Sequence, residues 1–253
     1  MIQLDQLSVV YNSGALVALN AVDIEFKPTE FTVLLGASGA GKTTLLRSIN
    51  FLSRPSSGEV RVAGKRIDGA RALQQHRRNT AMIFQQHQLI KRQSVLNNVL
   101  AGRLGYYSSL RSLFPMRQSD RRLALHCLER VGLLERALDR VDHLSGGQQQ
   151  RVGIARALAQ QPKVILADEP VASLDPASVM QVMSLLKGIC HEDGITMIVS
   201  LHQLEIAKAY AQRIVALAKG RVIFDGGVDE LGDRLVSEIY PRRIVVEYFG
   251  EFD

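Results

Sequence analysis

The sequence is poor in the residues that mark secreted, metal-binding or membrane-spanning chains. Its 253 residues include no tryptophan and only two cysteines, Cys127 and Cys190, which share no CxxC or metal-ligand spacing. Such a pair is typical of a reduced, intracellular chain. No apolar run approaches the roughly 20 residues that cross a bilayer, and the start MIQLDQLSVVY lacks the basic and apolar regions of a signal peptide. For work at a membrane, we expect another polypeptide to span it.

The charge balance is basic but does not select a ligand. The formal net charge is +6, with 46% hydrophobic and 22% charged residues, as in an ordinary globular protein. A basic surface suits nucleic acid, an anionic membrane face or a phosphate ligand. A mixed, solvated surface explains the same number equally well.

Short apolar runs alternate with helical patterns, which predicts an α/β fold with a mainly parallel sheet. The predicted strands are 7–11, 21–26, 31–36, 58–64, 81–84, 164–167 and 196–200, with a hairpin over 214–226 that turns at Lys219 and Gly220. The predicted helices follow residue 42 and cover roughly 120–132, 147–159, 176–191 and 203–212.

Residues 88–158 contain no clear strand pattern and indicate a helical subdomain inserted in the α/β core. Within them, 101–120 is rich in Gly, Ser, Tyr and Arg and predicts an excursion of loop and short helix. We interpret 1–253 as a single domain. Its parts are an α/β core with an antiparallel β subdomain over 1–87 and 159–240, the helical subdomain 88–158, and a short tail, 241–253.

The stretch GASGAGKT, residues 36–43, matches GxxxxGK[ST] between a predicted strand and a predicted helix. Its glycines allow backbone N–H groups to curl around phosphates. Lys42 supplies a positive charge for the β- and γ-phosphates, and Thr43 a hydroxyl ligand for Mg²⁺. The predicted phosphate-binding residues are Gly36, Ala37, Ser38, Gly39, Ala40, Gly41, Lys42 and Thr43.

A second motif, VILADEP at 164–170, places two carboxylates at the end of a predicted buried strand. Asp168 can hold Mg²⁺ directly or through water. Glu169 can polarise a water that attacks the γ-phosphate. With the phosphate loop, this pattern indicates a P-loop ATPase or GTPase, and the absence of an N-K-x-D motif from the sequence disfavours a GTPase.

A third motif, LSGGQQQR at 144–151, begins a predicted helix with two glycines and has no carboxylate, thiol or imidazole. The N-terminus of a helix attracts anions through its N–H groups and dipole. The chain therefore has a second helix start suited to phosphate.

The chain contains the four motifs GASGAGKT, LSGGQQQR, VILADEP and SLDP. With these motifs, the chain resembles the ATP-binding subunit of ABC transporters over nearly its whole length. The resemblance implies a P-loop NTPase (RecA-like) core, ATP and Mg²⁺ as ligands, and a head-to-tail homodimer. In such a dimer the signature of one subunit closes over ATP on the phosphate loop of the other. The residues implied are Ser145, Gly146, Gly147 and Gln148 in the signature and Thr44 beside the phosphate loop.

The resemblance implies further roles for single positions. Gln85 resembles the Q-loop glutamine that senses Mg²⁺ and the γ-phosphate, although Gln86 is adjacent. His202 resembles the switch histidine that contacts the γ-phosphate. Asp175 resembles the dimer-interface aspartate, and we also expect it to cap the helix that begins at Pro176. Tyr11 resembles the aromatic residue that stacks on adenine.

The resemblance is to importer-type subunits, whose permease is a separate chain. GRLGYYSSLRSLFP, the triple glutamine and ADEPVASLDP resemble the phosphonate-import branch, which handles phosphonate, phosphite or similar anions. The resemblance implies that the chain binds peripherally at the cytoplasmic face of the cell membrane. Its implied partners are permease subunits and, through the permease, a solute-binding protein, with no nucleic acid partner. An importer for polar amino acids or phosphate, and a non-transport ABC ATPase, are the alternatives. We also expect Arg and Tyr residues of 103–122 to contact the permease or anionic headgroups, unless they form a solvated basic face.

Overall fold

The computed structural model of the chain describes residues 1–11, 16–86, 88–108, 110–111 and 114–240. The predicted tail, 241–253, and His87 lie outside these residues. The strands are β1 (Ile2–Tyr11), β2 (Leu16–Phe26), β3 (Phe31–Leu35), β4 (Ser57–Val62), β5 (Lys65–Arg66), β6 (Thr80–Ile83), β7 (Val164–Asp168), β8 (Thr196–Leu201), β9 (Arg213–Ala218) and β10 (Arg221–Gly226). The α-helices are α1 (Lys42–Ile49), α2 (Gly69–Asn79), α3 (Val95–Leu100), α4 (Gln118–Arg130), α5 (Gly146–Ala159), α6 (Pro176–Asp193), α7 (Leu204–Tyr210) and α8 (Asp233–Ile239).

The chain divides into two compact units, of which the first comprises Met1–Ile67 and Ile198–Asp253. It contains an antiparallel sheet of order β2-β1-β4-β5 and the strands β10-β9-β3-β8, in which β3 and β9 run parallel. All five residues of β3 are buried, as the uninterrupted apolar run FTVLL predicts for a strand covered on both faces. This buried strand leads directly into the phosphate loop.

The predicted late hairpin is confirmed in this unit. Strands β9 and β10 pair antiparallel, and the two residues between them, Lys219 and Gly220, have φ values of 49° and 76°. Positive φ at both positions is the geometry of a type I′ turn, whose twist matches that of the flanking strands.

The second unit comprises Asp68–Met197. Strands β6 and β7 pair in parallel, with Thr80 opposite Val164 and Ile83 opposite Ala167, and α3, α4 and α5 pack on one another. The described residues of 88–158 form helices and 3₁₀ turns plus one isolated bridge, Ser94 to Arg140. The predicted absence of strands there is confirmed for these residues, while the subdomain boundaries remain a prediction.

Helices α2, α3 and α8 are not among the individually predicted helices, and α7 is shorter than predicted. Helix α2 was not predicted, because its sequence GARALQQHRRN has no apolar stripe and His76 is its single buried residue. Helix α7 ends at Tyr210 rather than near 212, because Ala211 is already extended and β9 begins at Arg213. No helix in the described part of the chain is both long and apolar enough to cross a membrane.

Candidate nucleotide site and signature helix

The phosphate loop connects β3 to α1, as the sequence predicts. Gly41, the residue before α1, has φ 108°, and a Cβ there would lie 2.7 Å from the Ala18 carbonyl oxygen. A Cβ on Gly36 would lie 2.6 Å from the Leu217 carbonyl oxygen. Both positions therefore require glycine, because any side chain would collide with backbone that cannot move aside. The bulged path of the loop is set by these two close approaches.

Lys42 is held in this loop by hydrogen bonds of its side chain. It is 4% exposed, and its Nζ donates hydrogen bonds to the carbonyl oxygens of Gly36 at 2.7 Å and Ala37 at 3.1 Å. The ammonium group is therefore held against the loop backbone. Thr43 and Thr44 follow it, half-buried, in the first turn of α1.

The start of α1 fits a phosphate group. Its first turn contains no acidic residue, and Gly41 has no side chain with which to cap it. The first N–H groups of a helix, together with its dipole, favour an anion. A lysine held at the same place adds a full positive charge, so the residues present match a polyphosphate ligand.

Tyr11 is the last residue of β1 and is 37% exposed. Its hydroxyl lies 3.0 Å from Ser53 Oγ. This hydrogen bond is made at the hydroxyl edge of the Tyr11 ring. The stacking of this ring on adenine remains a prediction.

His202 occupies a two-residue loop between β8 and α7 in the same unit. The residue is exposed, and its backbone carbonyl accepts a hydrogen bond from the Tyr240 hydroxyl at 2.7 Å. Nothing in the sequence pattern indicates this contact, because the two residues are 38 positions apart and belong to different elements.

In the second unit, Asp168 is the last residue of β7 and is 3% exposed. Glu169 follows it, half-buried, with φ 45°. A positive φ is uncommon for a non-glycine residue, but ten of the described non-glycine residues adopt one, so it does not by itself mark a site. The predicted position of both carboxylates at the strand end is confirmed. Gln85 lies one residue beyond Phe84 after β6 and is exposed, as is Gln86, so the choice between them remains a prediction.

The signature stretch begins a helix, as predicted, and its start is closed by its own side chains. Ser145 is the N-cap of α5. The Gln148 N–H donates to Ser145 Oγ at 3.3 Å, and the Ser145 N–H donates to Gln148 Oε1 at 3.0 Å. This is a capping box, for which the spacing S-x-x-Q is the sequence signal. The helix start is therefore preformed without any ligand.

The two signature glycines differ in their surroundings. A Cβ on Gly147 would lie 2.7 Å from Ser178 Oγ, whereas a Cβ on Gly146 would meet Leu174 Cδ2 at an ordinary 3.5 Å. Gly147 is therefore required by packing inside the unit. Gly146 is not, and the space beside it is available to another group.

Asp175 caps α6, as predicted. Its Oδ1 accepts from the Ser178 N–H at 3.0 Å, and its Oδ2 accepts from the Ser178 hydroxyl at 2.6 Å. These bonds lower the pKa of the Asp175 carboxyl below its ordinary value. They also orient the hydroxyl that lies against Gly147, so the SLDP segment helps to position the signature helix. A role of Asp175 in a dimer interface remains a prediction.

The arginines and tyrosines of the 101–120 excursion contact one another. Arg103 lies over the Tyr106 ring, 3.9 Å from its centre, and forms an ion pair with Asp120 at 2.9 Å. Tyr106 donates to the Gln160 carbonyl oxygen at 2.8 Å. Burial alone would raise the pKa of Asp120, but hydrogen bonds from Tyr107 and Arg103 outweigh it and keep the pKa below its ordinary value. These contacts fasten the excursion to the end of α5. The expected contact of this region with a permease or headgroups stays a prediction.

These features define a P-loop nucleotide-binding protein: a glycine-constrained phosphate loop, a strand ending in adjacent carboxylates, and a glycine-rich capped helix. A family model described as "ABC transporter" matches residues 19–172, which is more than half of the chain. The chain belongs to the ABC transporter family.

Relatives and solved structures agree with this assignment. The chain is 59% identical to the phosphonates import ATP-binding protein PhnC 3 of Nostoc sp., over 95% of this chain and 92% of that one. It is also 59% identical to the phosphite import ATP-binding protein PxtA of Stutzerimonas stutzeri, over 96% of this chain and 88% of that one. The ATP-binding cassette MJ0796, solved as a dimer in a post-hydrolysis state bound to ADP and Pi, superposes with a TM-score of 0.79. It is 35% identical, covering 90% of this chain and 99% of that chain.

Proposed function

We propose that the chain is the ATP-hydrolysing subunit of an importer for a phosphorus-containing anion such as phosphonate or phosphite, working through a separate membrane permease. The observation that carries the ATP-binding part is the phosphate loop. Buried Lys42 is fixed on the carbonyl groups of Gly36 and Ala37 at the start of a helix with no acidic residue in its first turn. A polyphosphate is the ligand that these groups complement.

The nucleotide is proposed to bind with Mg²⁺, for which Thr43, Gln85 and Asp168 are the proposed ligands. Among the described residues, no group of three or more His, Cys, Asp and Glu side chains could hold a metal ion. One carboxylate, one amide and one hydroxyl suit Mg²⁺, which keeps several waters and phosphate oxygens among its ligands. When bound, the ion neutralises charge on the phosphate oxygens.

The hydrolytic step is assigned to Glu169 and His202. Glu169 is proposed to orient the attacking water and accept its proton, and His202 to contact the γ-phosphate. The position of Glu169 supports this role, because it directly follows Asp168, the last residue of β7.

The subunit is proposed to act as a head-to-tail dimer in which Ser145, Gly146, Gly147 and Gln148 contact the nucleotide on the partner's phosphate loop. The start of α5 supports this, because its capping box already orders the residues that present the positive end of the helix dipole. The accessible space beside Gly146 is where the phosphate would approach. The dimeric form of MJ0796 is a solved precedent for pairing.

The cargo and the membrane partner are proposed from the relatives. Relatives at 59% identity over nearly the whole chain carry the names of phosphonate and phosphite import proteins. We therefore place the chain at the cytoplasmic face of the cell membrane, bound to permease subunits that receive the anion from a solute-binding protein.

Uptake in whole cells tests this proposal. A strain without the gene is given either the wild-type chain or Glu169→Gln, and uptake of methylphosphonate, phosphite, phosphate and glutamine is measured. Restoration of methylphosphonate or phosphite uptake by the wild type alone is expected. Restoration of only phosphate or glutamine uptake would refute the cargo, and equal uptake with both chains would refute the role of Glu169.

A further inference from the structure

The carbonyl group of His202 lies just before the start of a helix. Strand β8 ends at Leu201, which is 2% exposed, and α7 begins at Leu204 after the N-cap Gln203. The first helical hydrogen bond of α7 runs from the Ala207 N–H to the Gln203 carbonyl at 3.2 Å. The His202 carbonyl therefore lies one residue outside the helix ladder, so its orientation depends on contacts other than the bonds of that helix.

Tyr240 supplies that orientation from the end of α8. Its hydroxyl donates to the His202 carbonyl oxygen at 2.7 Å. The ring is half-buried, and burial raises the pKa of Tyr240, so the hydroxyl keeps the proton that it donates.

The position of Tyr240 is itself fixed. Its N–H donates to the Val236 carbonyl at 2.9 Å, which closes the last turn of α8. The preceding residue, Ile239, is 1% exposed, and α8 packs on β9. Tyr240 therefore lies at the end of a helix that is packed on β9. Its hydrogen bond connects the loop of His202 to this packed helix.

We infer that Tyr240 is a positioning residue for His202: its hydroxyl fixes the peptide group after the histidine and so holds the imidazole ready for the nucleotide. This rests on the proposed role of His202. The histidine stands on a backbone held by β8 on one side and by Tyr240 on the other. Loss of the Tyr240 hydroxyl leaves the connection to β8 intact and removes the hydrogen bond to the His202 carbonyl.

The test is Tyr240→Phe in the full chain, with steady-state hydrolysis of Mg·ATP as the readout. The change removes one hydroxyl and keeps the ring. We expect kcat to fall about three- to tenfold, the range for one lost hydrogen bond, with KM for ATP unchanged. Ser237→Ala is the matched control, because it removes a hydroxyl of the same helix, α8, that also donates to a backbone carbonyl, that of Asp233 at 3.0 Å. The control should hydrolyse ATP at the wild-type rate.

A double-mutant cycle separates positioning from general stability. If Tyr240 acts through the histidine, Tyr240→Phe has no further effect on kcat in a His202→Ala background. A wild-type kcat in Tyr240→Phe, or an undiminished fold-loss in the His202→Ala background, overturns the inference. A wild-type kcat in His202→Ala overturns the proposed role of His202 instead.

Amide hydrogen exchange covers the case in which Tyr240→Phe weakens the whole fold. Faster exchange confined to residues 202–207 supports the positioning role. Unchanged exchange there, or faster exchange throughout the chain, contradicts it.

Discussion

Gly146→Asp is the substitution that most cleanly separates the signature helix from the rest of the fold. The position accepts a side chain, because a Cβ there meets Leu174 Cδ2 at an ordinary 3.5 Å. It is the first residue of α5, where a carboxylate interacts favourably with the helix dipole by about 0.3–1 kcal/mol. The thermal unfolding midpoint should therefore be unchanged or slightly raised.

The expected effect on hydrolysis follows from charge. If a γ-phosphate approaches the start of α5, the new carboxylate repels it. Two unit charges about 5 Å apart at an effective dielectric constant of about 20 repel by about 3 kcal/mol. That energy corresponds to a loss of about 100-fold or more in the rate of hydrolysis.

The assays are nucleotide binding to the isolated subunit and steady-state hydrolysis, with Gly146→Ala as the uncharged control. We expect Gly146→Asp to bind ATP as the wild type does and to lose hydrolysis, while Gly146→Ala retains most of its activity. Loss of ATP binding by the monomeric variant would show that the signature serves its own chain. Undiminished hydrolysis would remove the signature from the site.

Three further outcomes follow from single side chains. Glu169→Gln should bind ATP normally, lose hydrolysis by at least 100-fold if it is the general base, and accumulate as an ATP-bound dimer in size-exclusion chromatography; normal turnover would contradict its role. Asp120→Asn should lower the free energy of unfolding by about 1.5–3 kcal/mol, because it removes the ion pair to the half-buried Arg103, which keeps its hydrogen bonds to Ala159 and Gln161. Since the folded pKa of Asp120 is lowered, its contribution is complete above the unfolded value of about 3.9 and is lost as the pH falls through the folded value. Urea titrations from pH 3 to 7 should therefore show a steeper loss of stability below pH 4 in the wild type than in Asp120→Asn, and parallel curves would refute this. Burial raises the pKa of the Cys127 thiol to about 11, so iodoacetamide at pH 8 should leave it unmodified in the folded chain; rapid labelling of Cys127 under native conditions would contradict its burial.

The sequence predicts those parts of the molecule that depend on local pattern. The run FTVLL followed by GASGAGKT predicts a buried strand that is connected to a helix by a glycine-rich loop. The structure has this strand, β3, and this helix, α1. Asp175 before Pro176 is a helix start on the same grounds. In both cases the local sequence is enough to predict the element, although the path of the phosphate loop also depends on its approaches to Ala18 and Leu217.

Contacts between distant segments could not be predicted in this way. The bond from Tyr240 to His202 and the approach of Ser178 to Gly147 depend on how elements pack, which no local pattern encodes. Helix α2 was missed for a related reason, because its near absence of buried residues removes the apolar periodicity on which a prediction depends. The capping box of Ser145 and Gln148, by contrast, follows from the spacing S-x-x-Q, which is a local pattern.

Mixing two inactive variants shows whether each ATP is held between the phosphate loop of one subunit and the signature of the other. Lys42→Ala disables the phosphate loop and keeps the signature, whereas Gly146→Asp disables the signature and keeps the phosphate loop. In a head-to-tail dimer, the mixed pair contains one site with an intact phosphate loop from one subunit and an intact signature from the other. We expect Mg·ATP hydrolysis, absent from each variant alone, to reappear when the two are mixed. A mixture as inactive as its components, under conditions where mixed dimers form, would contradict it.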